Sequence, residues 1–422
     1  EVISKHLAAA LLLCGSVLAA AGEALDPEQA VAEALAGNPG LAQIRERAAA
    51  MAAIPSQVGA LPDPVIGFNL LNLPVDTFDP HQEAMTQLQF GISQSIPFPG
   101  KLALKERAAV HEAAAATEQV HELRLMLARD VRTLWWRLFY LDQALRIVAA
   151  NQELLRQFVE IAQTRYKVGS GLQQDVLLAQ LELSRLLERQ IRLEGLRRTE
   201  AARLNALLDR PADQVLLLPP ERDEALPELP ELAELFAEAE QARPLLARER
   251  RLIEAARTRR ELAEEDLKPD FQVGAYYGLR GGENPDGGDR ADFLSLRLGV
   301  RVPLYADRKQ RKAVDQRSSE LAGRIFGLQD TLRRVQAEIA SHRADYARFS
   351  EQARLFRTGI IPQARQTVAS MLAGYQVGKV DFLNLVRAQI TLYDYETRYW
   401  RVVSEAQAAR AAVIAAIGKE RT

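Results

Sequence analysis

The chain has 422 residues, a formal net charge of −2, 26% charged residues and only 6% aromatic ones. A near-neutral balance with both signs interspersed excludes a nucleic-acid protein, which needs a basic surface. The abundance of Ala, Leu, Arg, Glu and Gln suits long helices and coiled coils better than ordinary globular domains.

Residues 1–24 read as a secretory leader. Lys5 and His6 precede an uncharged run from Leu7 to Ala21, and small residues follow before Asp26-Pro27. Such a run is shorter than a comfortable membrane-spanning helix. Cys14, the single cysteine, lies inside it. Lipidation there would need small residues just ahead of the cysteine, where Leu12 and Leu13 stand. The processed chain then has neither disulfides nor thiolate metal sites.

Residues 25–210 read as one structural repeat, made of a helix, two strands and a long helical hairpin. The first strand falls at Val65–Asn72. The second is clearer: in Thr86–Phe98, Leu88, Phe90, Ile92 and Ile96 alternate with Gln87, Gln89, Ser93 and Ser95. Strict alternation marks a strand with one apolar and one wet face. From Lys101 to Arg210 there is no proline, and Leu123, Leu127, Val131, Leu134, Leu138, Leu141 and Leu145 recur at helical spacing. A helix over 101–167 is about 100 Å long. A turn at Val168–Leu172 returns the chain into a second rod, an antiparallel hairpin.

Residues 211–230, rich in proline, read as a linker, and 231–422 as a second repeat. Its strands fall at Phe271–Leu279 and Asp292–Leu304. In the latter, Leu294, Leu296, Leu298, Val300, Val302 and Leu304 alternate with Ser295, Arg297, Gly299 and Arg301. The Gly/Asn/Asp-rich stretch Arg280–Arg290 between them reads as a flexible polar loop. A helix from about Asp307 to Gln376 is interrupted at Pro362, which predicts a kink. It turns at Gly378 and returns to about Gly418.

The two halves are copies of one unit. Tyr166, Val168, Gly169, Ala179 and Gln180 recur as Tyr375, Val377, Gly378, Ala388 and Gln389, an offset of 209. Ser95–Phe98 answers Arg301–Leu304 at 206, Pro62-Asp63 answers Pro269-Asp270 at 207, and Pro39 answers Pro244 at 205. Ordered landmarks at near-constant displacement are the mark of a repeat. The strands have a length suited to crossing an outer membrane at a tilt. Four strands do not close a barrel alone and open edges are not tolerated in lipid, so closure needs several chains. The plainer alternative is two soluble hairpins packed on the helices through their apolar face.

Enzymatic and metal-binding signatures do not stand out. His6, His81, His111, His121 and His342 form no pair at ligand spacing, and the four methionines do not cluster. No nucleophile triad or phosphate loop is present. The reading is no enzyme, no cofactor and no bound metal.

The pattern resembles the TolC-like outer membrane efflux proteins. The residues that carry it are Ala34-Leu35 with Asn38-Pro39-Gly40-Leu41, the junction Gln94-Ser95-Ile96-Pro97-Phe98-Pro99-Gly100-Lys101, and the tip blocks Tyr166–Gln180 and Tyr375–Gln389. The Pro-Phe-Pro-Gly-Lys junction looks most like the metal-efflux, CzcC/CusC-like branch. The resemblance implies a mainly α fold with a small β part. Three protomers would share a twelve-strand β-barrel in the outer membrane of a Gram-negative bacterium, continued by a long α-helical barrel in the periplasm. It also implies a passive duct, with a periplasmic adaptor and an inner-membrane pump of the RND type as partners, and heavy-metal cations as one cargo.

Carried onto this chain, the resemblance makes Val168-Gly169-Ser170 and Val377-Gly378-Lys379 the adaptor-docking tips. Gly169 and Gly378 also serve the turns themselves, since glycine accepts positive φ. Asp175 and Asp381 open the returning helices, either as N-caps or, with Asn384, as part of a ring at the periplasmic mouth. Relatives carry an acidic residue just before the alanine of the second tip block, where this chain has Arg387, with Leu178 as its first-copy counterpart. Arg387 thus stands at the mouth where an acid is expected. Arg297 and Arg301 share the wet strand face and are expected to line the lumen. Tyr166 and Tyr375 read as packing residues at the hairpin ends, and Trp135, Trp136 and Trp400 as helix-contact aromatics. The rivals to this reading are a periplasmic adaptor, which would carry one hairpin between β-rich domains, and a soluble coiled-coil scaffold.

Overall fold

The computed structural model describes residues 24–222 and 225–420. The expected leader, save Ala24, and Cys14 lie outside the described residues. Among them no helix is long and apolar enough to cross a membrane.

The same series of elements runs twice along the chain. In the first copy α1 (Pro27–Gly37), α2 (Pro39–Ala52) and α3 (Ile54–Gly59) precede β1 (Val65–Leu71) and β2 (Gln87–Ile96), and α4 (Lys101–Lys167) and α5 (Gln173–Leu207) follow. In the second, α6 (Leu232–Ala242) and α7 (Pro244–Glu265) precede β3 (Asp270–Leu279) and β4 (Phe293–Arg301), and α8 (Gln310–Leu355), α9 (Ile361–Gln376) and α10 (Phe382–Ala416) follow. Pro27 and Pro39 each open a helix, where the missing N–H costs nothing. Asp26 caps α1 by accepting from Glu28 N, and Gln29 closes the box by accepting from Asp26 N at 3.0 Å.

The chain packs into two units. One comprises residues 44–120 and 244–333, the other 1–43, 121–243 and 334–422. The first carries the sheet. Its four strands pair in chain order, all antiparallel. Helices α4 and α7 are joined there by the ion pairs Arg107–Glu261 and Arg259–Glu112.

The second unit is helical. The apolar stripe of α4 that spacing picks out forms its core: Val131, Leu138 and Leu141 are buried, and α10 is buried along most of its length. Trp135, Trp136, Phe139 and Trp400 form one aromatic cluster, with Trp135 Nε1 donating to Leu25 O at 2.7 Å. Trp135 and Trp136 are therefore buried core residues of α4, and Trp400 of α10 packs on Phe139 half-buried.

Residues 211–222 and 225–230 form a strap held to the helical unit at several points. Leu216 is buried. The carbonyls of Leu216, Pro220, Pro227 and Pro230 accept from Arg197 Nη2, Arg146 Nη1, the Tyr346 hydroxyl and Arg343 Nε at 2.9, 2.6, 2.6 and 2.8 Å. Proline offers a carbonyl but no N–H, so arginine and tyrosine donors from the helices suit it.

One expectation needs correction, and the expected break at Pro362 takes a specific form. The stretch Arg280–Arg290 is tied down rather than loose. Arg290 Nη1 donates to the carbonyls of His81, Glu83 and Gly281 at 3.0, 3.1 and 3.2 Å, and Arg280 stacks its guanidinium over Phe293. The break near Pro362 takes the form of a π-helical turn over Phe356–Ile360, after which Pro362 sits in the first turn of α9. An interior proline leaves the carbonyl four residues back, here that of Thr358, without its donor. A wider i→i+5 turn re-spaces the ladder around that vacancy.

Candidate functional site

The sheet has one face that nothing among the described residues covers. The registers set Phe68, Phe90, Tyr277 and Leu294 in one cross-strand row and Ile66, Ile92, Ala275 and Leu296 in the next. Leu294, Leu296 and Leu298 are 70%, 80% and 73% exposed, and Phe68, Ile66 and Ile92 are exposed as well. The alternative of soluble hairpins packed on helices needs this face buried, and it is not. A contiguous apolar band of this kind is costly in water and marks a membrane or partner surface.

The opposite face is polar and holds the residues expected in the lumen. Arg297 stands across from Gly274, in the row of Ser93, and Arg301 across from Asp270; both arginines are exposed. Tyr276 lies flat across this face against Gly91 and Gly274, where a Cβ would fall 1.9 and 2.9 Å from its ring. Glycine at both positions is thus a packing requirement.

The base of the sheet explains the Pro-Phe-Pro-Gly-Lys junction. Gly100 has φ +98° and turns the chain out of β2 into α4. Lys101, the first residue of α4, is buried and reaches Asp270 at 2.9 Å, Asp266 at 3.4 Å and the Lys268 carbonyl at 3.0 Å. Phe98 N donates to Asp270 at 3.0 Å, and the Phe98 ring stacks on Phe271. The motif fastens the first copy to the second. A buried lysine needs such partners.

The hairpin ends belong to the helical unit. At both, the chain turns through a glycine in the left-handed region, Gly169 at φ +73° and Gly378 at +75°. Ser170 N donates to Arg165 O and Lys379 N to Gly374 O, both at 2.9 Å. This six-residue closure with a left-handed glycine ends helices at little cost. Val168 and Val377 stand exposed at the tips. The residues read from sequence as tips are therefore brought to two matching turns.

The start of the returning helices departs from the N-cap reading. Leu172, not Asp175, occupies the N-cap of α5, and Asp175 is the third helical residue. There it still offsets the positive end of the helix. Asp381 does occupy the N-cap of α10, but its carboxylate makes no cap bond. Asn384 and Arg387 are exposed on the first turns of α10, and Leu178 packs against the tip cluster.

That cluster is where the copies diverge. Tyr375 is 4% exposed, packed with Phe158, Phe382 and Leu385, while its counterpart Tyr166 is 48% exposed. Burial pushes the Tyr375 phenol above its ordinary range. Arg165, from the first hairpin, lies 4.7 Å over the Tyr375 ring and donates to its carbonyl at 2.9 Å. Gln389 is buried and donates to Asn151 Oδ1 at 2.6 Å, while Gln180 is exposed. Farther along, Arg189 of α5 bonds Asp394 of α10 at 3.2 Å and covers Tyr393. Neither Arg165 nor Arg189 stands out in the sequence. The one signal was that Arg165, next to the matching pair Tyr166 and Tyr375, corresponds to Gly374.

No group of three or more His, Cys, Asp or Glu able to hold a metal occurs among the described residues.

A family model described as outer membrane efflux protein matches the chain twice, over residues 30–210 and 235–419. The chain belongs to the outer membrane efflux protein family. Solved structures of similar fold include VceC from Vibrio cholerae, at 19% identity and TM-score 0.76, covering 93% of this chain and 96% of that one. MtrE of Neisseria gonorrhoeae, an outer membrane channel solved in its open state, matches at 13% identity and TM-score 0.77 over 93% and 89%. CusC, solved for its folding and transmembrane channel formation, matches at 14% and TM-score 0.78 over 96% of each chain. No curated protein sequence matches. As an outer membrane efflux protein the chain is of a channel family rather than an enzyme family, mainly helical with a small sheet.

Proposed function

We propose that the chain is the passive exit duct of a tripartite efflux or secretion system, acting as a homotrimer. Three four-stranded sheets close a twelve-strand barrel in the outer membrane, and the helical hairpins of three chains form an α-barrel reaching into the periplasm. The observation that carries this is the bare apolar band on one sheet face with arginines on the other. Lipid covers the first, and water in the lumen meets Arg297 and Arg301.

The two glycine turns, Val168-Gly169-Ser170 and Val377-Gly378-Lys379, receive the periplasmic adaptor, and an RND-type inner-membrane pump supplies the energy. Asp175, Asp381, Asn384 and Arg387 ring the periplasmic mouth. Arg387 brings positive charge there, so Arg387→Ala changes ion preference in single-channel recordings; unchanged conductance and preference remove it from the mouth. The junction motif that resembles the metal-efflux branch serves the Lys101–Asp270 fastening, so a metal cargo rests on the resemblance alone.

The reading is tested by fractionation and by docking. The chain should require detergent for extraction and run with heat-modifiable mobility on gels. Recovery in the soluble periplasmic fraction would sink it. Val168→Glu with Val377→Glu should abolish export and adaptor cross-linking while leaving membrane insertion intact. Export at the parent level would show that docking lies elsewhere.

A further inference from the structure

The four strands contain three charged residues, Asp270, Arg297 and Arg301, and all belong to the polar face. Asp270, at the base, is taken by Lys101 and stands opposite Arg301. Arg297, four residues along β4, has no such balance. It is exposed and makes no hydrogen bond or ion pair among the described residues. The middle of this face therefore carries positive charge alone.

Tyr276 is the diagonal neighbour of Arg297. Gly274 stands opposite Arg297, two residues from Tyr276 along β3. The Tyr276 ring lies along the sheet over Gly91 and Gly274. A Cβ on Gly91 would fall 1.9 Å from its Cδ1, and one on Gly274 would fall 3.2 Å from its hydroxyl. The hydroxyl end thus points toward the row of Arg297. One face of the ring rests on the two glycines, and the other has no aromatic or cationic partner among the described residues.

A third glycine clears the approach. Gly67 continues the row of Gly91 and Tyr276, and a Cβ there would meet nothing within 4 Å. Tyr276 requires glycine at 91 and 274, but no neighbour requires it at 67. Glycine weakens a strand and marks places where a ligand comes close to the backbone.

We propose that Tyr276 and Arg297 form a transit site for planar aromatic carboxylates. The guanidinium takes the carboxylate in a paired, charge-assisted hydrogen bond. The cargo ring stacks on the open face of Tyr276, whose hydroxyl donates to the same anion. This rests on the duct reading, which turns the polar face to the lumen, and it gives that duct a cargo class. An inorganic anion would need Arg297 alone; the flat aromatic plate beside it is what selects a ring. A bare metal cation is the cargo this stretch of wall least favours, because like charges repel. An exposed ion pair is weak, which suits a passage that cargo must leave as readily as it enters.

The test is thiol labelling in isolated outer membranes, with Cys14→Ser as background. Ser295→Cys stands opposite Tyr276 on the polar face, and Leu296→Cys stands on the apolar one. Each is treated with a methanethiosulfonate bearing a sulfonate or a trimethylammonium group, with rates normalised to free cysteine. At Ser295→Cys the normalised anion-to-cation ratio should exceed one, and Arg297→Gln should lower it several-fold. A ratio that Arg297→Gln leaves unchanged overturns the site and leaves the duct standing. Labelling of Leu296→Cys by both reagents as fast as Ser295→Cys overturns the duct reading as well. Benzoate should slow labelling of Ser295→Cys several-fold at concentrations where cyclohexanecarboxylate and benzamide do not. Equal protection by the two carboxylates overturns the aromatic class. Tyr276→Leu should abolish the preference for benzoate, and a preference that survives it removes the ring from the site.

Discussion

Arg165 and Gly374 occupy the same place in the two copies, and so do Gly171 and Val380. Each hairpin end has room for one large residue of the two. A Cβ on Gly171 would fall 2.8 Å from Arg165 Cβ, and one on Gly374 would fall 2.5 Å from Val380 Cγ2. In the first copy the large residue is Arg165, which spends its length on Tyr375. Arg165→Ala removes a cation–π contact and a charged hydrogen bond, together worth about 1–3 kcal/mol. Hydrogen exchange at residues 374–386 should then quicken while that of the strands stays unchanged; equal protection at the tips would show that the contact stabilises nothing. Gly374→Arg should destabilise the second tip through the Val380 clash. Adding Val380→Gly should recover much of that loss, measured as protease resistance at the tip. A double variant no better than the single one contradicts the swap.

At the scale of elements, the strands were legible because alternation is a local property. Leu294, Leu296 and Leu298 face one way and Ser295 and Arg297 the other, whether read from spacing or from register. The tip glycines were legible for the same reason. What spacing did not reveal were contacts between distant segments: Lys101 with Asp270, 169 residues apart, and Arg165 with Tyr375, 210 apart. Nor did it reveal that the break at Pro362 is a π turn, because the form of the repair depends on the backbone around it. The face assignment makes its own prediction. Leu296→Arg should cost about 2–4 kcal/mol if the site faces the middle of a bilayer, read as loss of assembled protein in the outer membrane. Ser295→Arg, one residue away on the polar face, should be tolerated. Equal tolerance of both would show that the apolar band does not meet lipid.

For the whole molecule, the duplication is the fact on which most else depends. It was visible in the sequence at Tyr166 and Tyr375, and the structure gives it two different meanings. In the strand-bearing unit the copies are alike and hold one register, with Val65 opposite Ser93 in the first and Gln272 opposite Gly299 in the second. In the helical unit they differ at Tyr166 and Tyr375, Gln180 and Gln389, and at the π turn before Pro362. Only the second copy carries its tyrosine and glutamine into the core. Sequence matching gave these pairs equal weight because identity of residue does not report burial.

The central claim is that four strands per chain are an incomplete barrel, completed by two further copies in the outer membrane. Native mass spectrometry of the protein extracted from outer membranes in detergent tests it most directly. The account predicts particles of three chains that persist until heated. A single chain per particle, or protein that stays soluble and monodisperse without detergent, would contradict it.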